Sequence, residues 1–512
     1  MIYTSYKSTT IFGPPGTGKT TRLISMVEDA LKSGTDPYRI AFVSFSKKAA
    51  SEAKERAISR LQITSKELMW FRTLHSLAFQ HLHLKRDQVL DGADIHNLER
   101  IIGLPMKSSS NLRMDEGLLF PPGQSKGDEY YTIYNMSRAT GMTLEESFDR
   151  FESDNFLYFR ELEHVVQAIK EYKKESKKID FLDMIEMFVD RQDSPQFDLL
   201  IVDEAQDLVP LQWRMIHEIL VPNSERAVFA GDDDQCIFSW MGVRVDDFLS
   251  SSEHKEVLDK SYRLPKKIHS FADDMVKRLS VRQPKTWYPT EEQGDITHNY
   301  SLDEIDLSEG QWLILARTNY IANRIATKLR DMGYLYWKDR KWSISMRILE
   351  AIDTWLKLQR GNSVSGESIK ALSKLSNTMY MSKSCRRKIS GLDTQSLYDM
   401  EFLINHCGME ASKEVPWHAV IRISDTDYTY IMSVRRMGES ILGVDKPRIE
   451  VSTIHRAKGG EADNVVLFLE TSPKIEKFSS QDEEIRTFYV GATRARKTLH
   501  LVDARSNLRF KI

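Results

Sequence analysis

The sequence predicts an α/β protein with two parallel sheets flanked by helices, each sheet interrupted by a mostly helical insertion. Three observations carry that prediction. Short apolar runs rich in Ile, Val, Leu and Phe alternate with helical patterns through the first third and recur later, as strands buried on both faces do. Gly13–Thr20, reading GPPGTGKT, stands between an apolar strand end and a helix. Two polar stretches, near 85–178 and 346–445, break the alternation. The expected division is a first sheet domain from 1–84 and 179–258 around an insertion at 85–178. A second follows from 259–345 and 446–512 around an insertion at 346–445.

The chain is too long for one core, and 41% hydrophobic with 29% charged residues is an ordinary globular balance. Lys+Arg (72) and Asp+Glu (74) nearly cancel, which excludes a general positive field and confines nucleic-acid binding to local grooves. Cys236, Cys385 and Cys407 are too far apart in sequence for zinc or redox spacing and read as reduced thiols. No segment has signal-peptide character or the ~20 apolar residues of a membrane span, so a soluble, cytoplasmic protein is expected.

The first strand ends in Ile11-Phe12, and Leu23, Ile24, Val27 and Leu31 recur at helical spacing behind the loop. Glycines at 13, 16 and 18 let the backbone curl so that its N–H groups converge on phosphate oxygens. Lys19 then reaches the β- and γ-phosphates, and the Thr20 hydroxyl lies on Mg2+. Pro14, Pro15, Thr17 and Thr21 complete the nucleotide-contacting stretch. A turn at an ordinary helix start would explain the glycines but not the Lys-Thr pair after them.

IAFVSF and the helical KKAASEAKERAISRL come next, then the polar insertion with SSSN, PPGQSKGDE and KEYKKESKK. Its Lys/Arg runs, like SKSCRRK in the second insertion, suit solvated helix faces or phosphate contacts. FDLLIV then ends in Asp203-Glu204. An acidic pair at a strand end is by itself a common loop. In a chain with a phosphate loop it reads as a metal-and-water site, with Asp203 holding Mg2+ through water and Glu204 deprotonating the attacking water. AVFAG leads into GDDDQCIFSWMG (231–242), where the Gln235 amide can sense a γ-phosphate and Trp240 can stack on a base. Taken singly, Trp240 is more often core than platform. The second half repeats the alternation with QWLILA, IEVSTI, NVVLFLE and LHLVDA.

Taken in order, these stretches resemble the superfamily 1 helicases of the UvrD/Rep group over both halves of the chain. GPPGTGKT resembles motif I, FVSFSKKAASEAKER motif Ia, and Thr73-Leu74-His75-Ser76 motif Ib. IDFLDM (179–184) resembles the family's DFDDL element, DEAQD motif II, GDDDQCIFSW motif III and Ser261-Tyr262-Arg263 motif IV. ARTN (316–319) with Arg324 resembles the segment called IVa, STIHRAKGGEADNV (452–465) motif V, and EEIRTFYVGATRAR (483–496) motif VI.

The resemblance implies two RecA-like P-loop domains and ATP-driven movement along single-stranded DNA, 3′→5′, with duplex unwinding. ATP and Mg2+ are the implied cofactors; single strands and single/double-strand junctions are the implied partners. It further implies that Tyr262 stacks on adenine, that Arg263 and Arg494 are arginine fingers, and that Glu461 lies by the ribose or γ-phosphate. Phe45, Thr73, His75, Trp240 and His455 would lie along the strand. Ser46 as a helix cap and His75 as a core histidine remain open from the residues alone. The chain departs from the family in three ways. No glutamine precedes Gly13, Met241 stands where relatives often carry arginine, and the second insertion is short. The last of these keeps open a single-strand-stimulated translocase that displaces proteins and unwinds weakly. A scaffold with a dead site is the remoter alternative, against the intact Lys19, Thr20, Asp203, Glu204, Gln235, Arg263 and Arg494.

Overall fold

The computed structural model describes residues 7–45, 47–61, 63–106, 125–151, 155–339, 341–438, 447–503 and 507–512. Ser46, SSSN at 108–111 and the first four residues of PPGQSKGDE lie outside the described residues. Two compact units form: one from residues up to Gln293 together with Ser480–Tyr489, the other from Gly294–Ser479 and Val490–Ile512.

The first unit is built on six strands, β1 (Ser8–Phe12), β2 (Ile40–Ser44), β3 (Phe71–Thr73), β4 (Phe197–Asp203), β5 (Ser224–Gly231) and β6 (His254–Val257). They lie in the order β3-β2-β4-β5-β1-β6, every pair parallel. A parallel sheet covered by helices buries both faces, which is why β2 is buried at every residue and β4 at all but one. The helix Lys19–Lys32 lays Leu23, Ile24 and Val27 against Ile11, Ile40, Ile201 and Val228. Those are the apolar positions the spacing predicted, with Leu31 at the rim.

The inserted helices Gly92–Ile102, Lys126–Thr140, Leu144–Arg150 and Phe159–Ser176 pack around their own core of Ile95, Leu98, Tyr130, Ile133, Leu162 and Ile169. The two ends of this insertion are pinned together: the Leu90 N–H donates to Ile179 O (2.9 Å) and the Ile179 N–H to Gln88 O (2.8 Å). IDFLDM starts the helix Phe181–Arg191, with Asp180 accepting from the Asp183 N–H at its cap. Asp180 and Asp183 also take the guanidinium of Arg138 (2.7 and 2.6 Å) and the ammonium of Lys173 (2.6 and 2.7 Å), so buried charge ties the inserted helices to the element that leads back to the sheet.

The second unit carries β7 (Asp295–Asn299), β8 (Trp312–Ala316), β9 (Tyr336–Lys338) and β10 (Lys341–Trp342). A two-stranded pair, β11 (Val364–Ser365) and β12 (Leu397–Tyr398), lies within the second insertion. β13 (Ile449–Thr453), β14 (Ala462–Phe468) and β15 (Ala495–Val502) complete the main sheet, ordered β10-β9-β13-β8-β14-β15-β7. It is parallel except for the β9–β10 hairpin. The second insertion is mostly helical, as expected, and is organised around the buried Trp355, whose indole N–H donates to Val415 O (3.0 Å). The three cysteines are buried free thiols. Among the described residues no helix is long and apolar enough to cross a membrane.

Candidate active site at the phosphate loop

β1 feeds straight into the loop, and the Gly13 N–H donates to Gly231 O (2.8 Å), tying the loop's start to the end of β5. The Thr17 hydroxyl donates to Pro14 O (2.8 Å) and closes the turn. Gly16 and Gly18 have φ of 75° and 77°, the left-handed region where a side chain costs energy. Gly18 immediately precedes the helix Lys19–Lys32 and gives it no side-chain cap, so the first-turn N–H groups and the positive end of the helix dipole face into the loop. Lys19 folds back across it, donating to Gly13 O (2.9 Å).

Ser261-Tyr262-Arg263 backs the loop from behind. The Ser261 hydroxyl donates to Pro15 O and the Tyr262 N–H to Gly16 O, both at 2.8 Å. A Cβ on Gly16 would stand 2.4 Å from Arg263 Cβ, so the close approach itself requires glycine. The Tyr262 ring is 71% exposed beside Gly18 and offers an apolar face next to the phosphate cradle.

The carboxylates expected to act lie at the neighbouring strand ends. Asp203 closes β4 and is buried; burial, reinforced by Glu204 and opposed by Lys19, pushes its carboxyl up to about 7. Glu204 adopts φ 53°, a left-handed conformation rare for a side-chain-bearing residue and typical of strained functional positions. Its N–H donates to Asp203 Oδ1 (3.0 Å) and its Oε2 accepts from Gln206 Nε2 (2.7 Å). Gln206 Oε1 in turn accepts from the Asp232 N–H (3.1 Å), and Asp232 Oδ2 accepts from Gln235 Nε2 (2.8 Å). A bonded path thus runs Glu204–Gln206–Asp232–Gln235. Gly231 makes room for it, since a Cβ there would lie 2.2 Å from Gln206 Oε1.

The donor set fits Mg2+, a hard cation that takes oxygen ligands. Thr20 offers a hydroxyl, Asp203 a carboxylate, and Ser44, opposite Asp203 in register, a buried hydroxyl with no hydrogen-bond partner.

The residues expected along a strand divide in two groups. Trp240 is 41% exposed on a tight turn ending at Gly242, and Phe45 stacks on Phe238 with ring centroids 5.8 Å apart. Thr73 is buried, and its hydroxyl accepts from the Ser76 N–H (3.3 Å) as the cap of the helix Leu74–His81. His75 packs edge-on against Phe181 and holds Nε2 away from solvent without a partner; burial lowers its pKa to about 4, so the ring is neutral at pH 7. Within the second unit, Arg494 is buried, its Nε donating to Val490 O (2.9 Å) and an Nη to Gly460 O (3.3 Å). The adjacent Glu461 pairs with Arg496 (3.2 Å), and His455 lies in the turn after β13.

A family model described as the UvrD/REP helicase N-terminal domain matches residues 2–256, and one described as the UvrD-like helicase C-terminal domain matches 427–506. This chain belongs to the UvrD/Rep helicase family. It is 25% identical over 357 residues to the ATP-dependent DNA helicase PcrA of Leuconostoc citreum, covering 64% of this chain and 44% of that one. To the protein of the same name from Staphylococcus aureus it is 23% identical over 363 residues (68% and 47%), and to DNA helicase II of Escherichia coli 26% over 351 (62% and 44%). The matches thus span less than half the length of these relatives.

As in the family's architecture, the chain carries two RecA-like α/β domains with helical insertions. The UvrD/Rep matches contain Lys19, Asp203, Glu204, Gln235, Glu461 and Arg494, whereas Tyr262 and Arg263 fall between the two matched segments. Three side chains of the site have no distinct signal in the sequence: Gln206 is hidden inside DEAQD, Ser261 inside Ser261-Tyr262-Arg263, and Lys285, which binds Asp232, stands in no motif.

Proposed function

We propose that this chain is an ATP-dependent DNA motor, a helicase or translocase that hydrolyses ATP with Mg2+ while moving on single-stranded DNA, 3′→5′ by family resemblance. The observation that carries the reading is the bonded path from Glu204 through Gln206 and Asp232 to Gln235, lying beside an uncapped helix start. The loop N–H groups and Lys19 hold the phosphates, and Tyr262 stacks on the base. Glu204 accepts the proton of the attacking water, oriented by the Gln206 amide and by its own unusual backbone. Gln235 faces the γ-phosphate from its anchor on Asp232. Thr20 and Asp203 would hold Mg2+, which when bound would neutralise charge developing on the phosphates. Arg263 and Arg494 are assigned as transition-state arginines by the resemblance. Trp240 and Phe45 contact the bases, and His455 joins them by resemblance. Single strands and single/double-strand junctions are the proposed DNA partners.

The deciding experiment is steady-state ATP hydrolysis with and without single-stranded DNA, with Lys19→Ala as the blank. Strong stimulation abolished in the variant supports the motor. Hydrolysis indifferent to DNA would leave a nucleotide site without a motor, and none at all would leave a scaffold. Tailed duplexes of either polarity then test direction and separate unwinding from translocation alone, which the short second insertion favours.

A further inference from the structure

Lys285 belongs to none of the stretches that carry the chemistry above, yet its side chain is wholly buried. Its ammonium lies 3.0 Å from Asp232, 2.5 Å from Asp233 and 2.8 Å from Asp234, three carboxylates with no exposed surface. Arg282 forks onto Asp234 at 3.0 and 2.7 Å, and the Gln283 N–H donates to Asp233 Oδ2 at 2.7 Å. The three carboxylates approach one another within 4.8 Å, close enough to grip a cation. The cation they grip is the lysine's own. Burial opposes its charge, and the carboxylates outweigh burial, holding its pKa above the usual lysine value.

Asp232 stands at the crossing of two amides. One of its oxygens takes Lys285, the other takes Gln235 Nε2, and its N–H meets Gln206 Oε1. Gln206 then reaches Glu204. The Lys285 ammonium also lies 5.9 Å from the ring of Phe12, the last residue before the phosphate loop. One buried point charge therefore binds Asp232, whose other bonds run to the Gln235 amide and, through Gln206, to Glu204. We propose that Lys285 is a positioning residue for ATP turnover: it holds Asp232 so that Gln235 and Gln206 present their amides in the reactive arrangement. Without it, the three adjacent buried carboxylates keep only the Arg282 guanidinium on Asp234 and the charge of Lys19 acting on Asp232. Asp232 must then turn or take a proton, and either event shifts or weakens the bond that anchors Gln235.

The inference rests on the ATP-turnover reading, so the wild-type chain and Lys19→Ala are run beside the variants. A wild type that does not hydrolyse ATP sinks that reading, not this one. Two variants carry the test. Lys285→Arg keeps the charge but replaces a point donor by a planar fork. Lys285→Met with Asp233→Asn removes one charge of each sign, leaving Asp232 and Asp234 against Arg282. Thermal melting reports folding, titration with a fluorescent ATP analogue reports binding, and single-turnover hydrolysis on single-stranded DNA reports the step. Both variants should fold and bind the analogue within about threefold of wild type, while turnover falls at least tenfold. Turnover within threefold of wild type in either folded variant overturns the proposal. So does a loss confined to nucleotide affinity. Failure of both variants to fold makes Lys285 a folding residue and overturns it equally.

Discussion

Glu204→Gln should separate nucleotide binding from bond cleavage, and the contacts of Glu204 say which interactions it loses. The substitution keeps side-chain length and leaves the backbone N–H on Asp203 Oδ1, and Gln tolerates φ 53° no worse than Glu. What it removes is the acceptor of the attacking water's proton and one charged end of the bond from Gln206. A positioned general base contributes about 10²- to 10⁴-fold, or roughly 3 to 5 kcal/mol of barrier. The weakened bond costs the fold only about 1 kcal/mol. Nucleotide affinity should hold or tighten, because Glu204 is the charge that reinforces the upward push on the buried Asp203 carboxyl. The assay is single-turnover hydrolysis on single-stranded DNA beside equilibrium binding of a fluorescent ATP analogue. Turnover within a few-fold of wild type would refute Glu204 as the base. Affinity lost in proportion to turnover would refute the separation of roles.

Trp240→Ala should weaken single-strand binding by about 1–3 kcal/mol at fixed salt, one base-stacking increment; unchanged affinity in a fluorescence-anisotropy titration would make the exposed indole incidental. Gly16→Ala adds a left-handed alanine, costing about 1 kcal/mol, and drives a methyl into Arg263. Nucleotide affinity should fall at least tenfold while single-strand affinity without nucleotide is unchanged, by parallel titrations. His75 is neutral at pH 7, its ring partly exposed but its Nε2 shut off from solvent, with a pKa lowered by desolvation to about 4 from the ordinary 6.5. The unfolded chain therefore binds the proton first, and stability falls as pH drops from 6.5 towards 4. Between pH 7 and 5 the loss should be on the order of 1–2 kcal/mol. His75→Phe, which keeps the packing on Phe181, should flatten that slope in urea titrations; an unchanged slope would place the titration elsewhere.

What was legible in the sequence was what is local. The loop needs its glycines, lysine and threonine consecutively, and parallel strands buried on both faces announce themselves as apolar runs. Asp203, Glu204 and Gln235 follow such runs directly, so their placement beside the loop could be read without coordinates. β7 could not: it lies at a sheet edge with no buried residue, and DITHN has no apolar run. The β9–β10 hairpin is too short to leave a pattern. The expected junction at 258/259 falls short of the first compact unit, which continues to Gln293, and Ser261 and Tyr262 bond back to the loop. Thr73 shows the opposite difficulty, since a threonine before a helix can cap it or face a ligand, and its burial with the Ser76 N–H makes it a cap here. Lys285 was invisible because some fifty residues separate it from the acids it joins, and one lysine among many carries no signal.

The two buried charge clusters of the first unit, at Lys285 and at Arg138, occupy corresponding mechanical positions. Arg138 and Lys173 lie on inserted helices and grip Asp180 and Asp183 where the chain returns to the sheet. Arg282 and Lys285 lie beyond β6 and grip Asp232–Asp234 where β5 leaves it. Buried ion pairs in general are weak evidence of stabilisation, because apolar residues of similar volume often replace them at no loss. Ion clusters do differ from apolar contacts in one respect: charge-assisted hydrogen bonds have preferred directions and short range, so they hold one geometry and resist sliding. A greasy seam at Asp232 would let the Gln235 amide drift by a fraction of an ångström without penalty. Reacting groups must be held to about half an ångström, a tolerance at which drift costs rate rather than stability. The placement of the Lys285 cluster at an exit from the sheet, where Asp232 holds the Gln235 amide, fits that requirement.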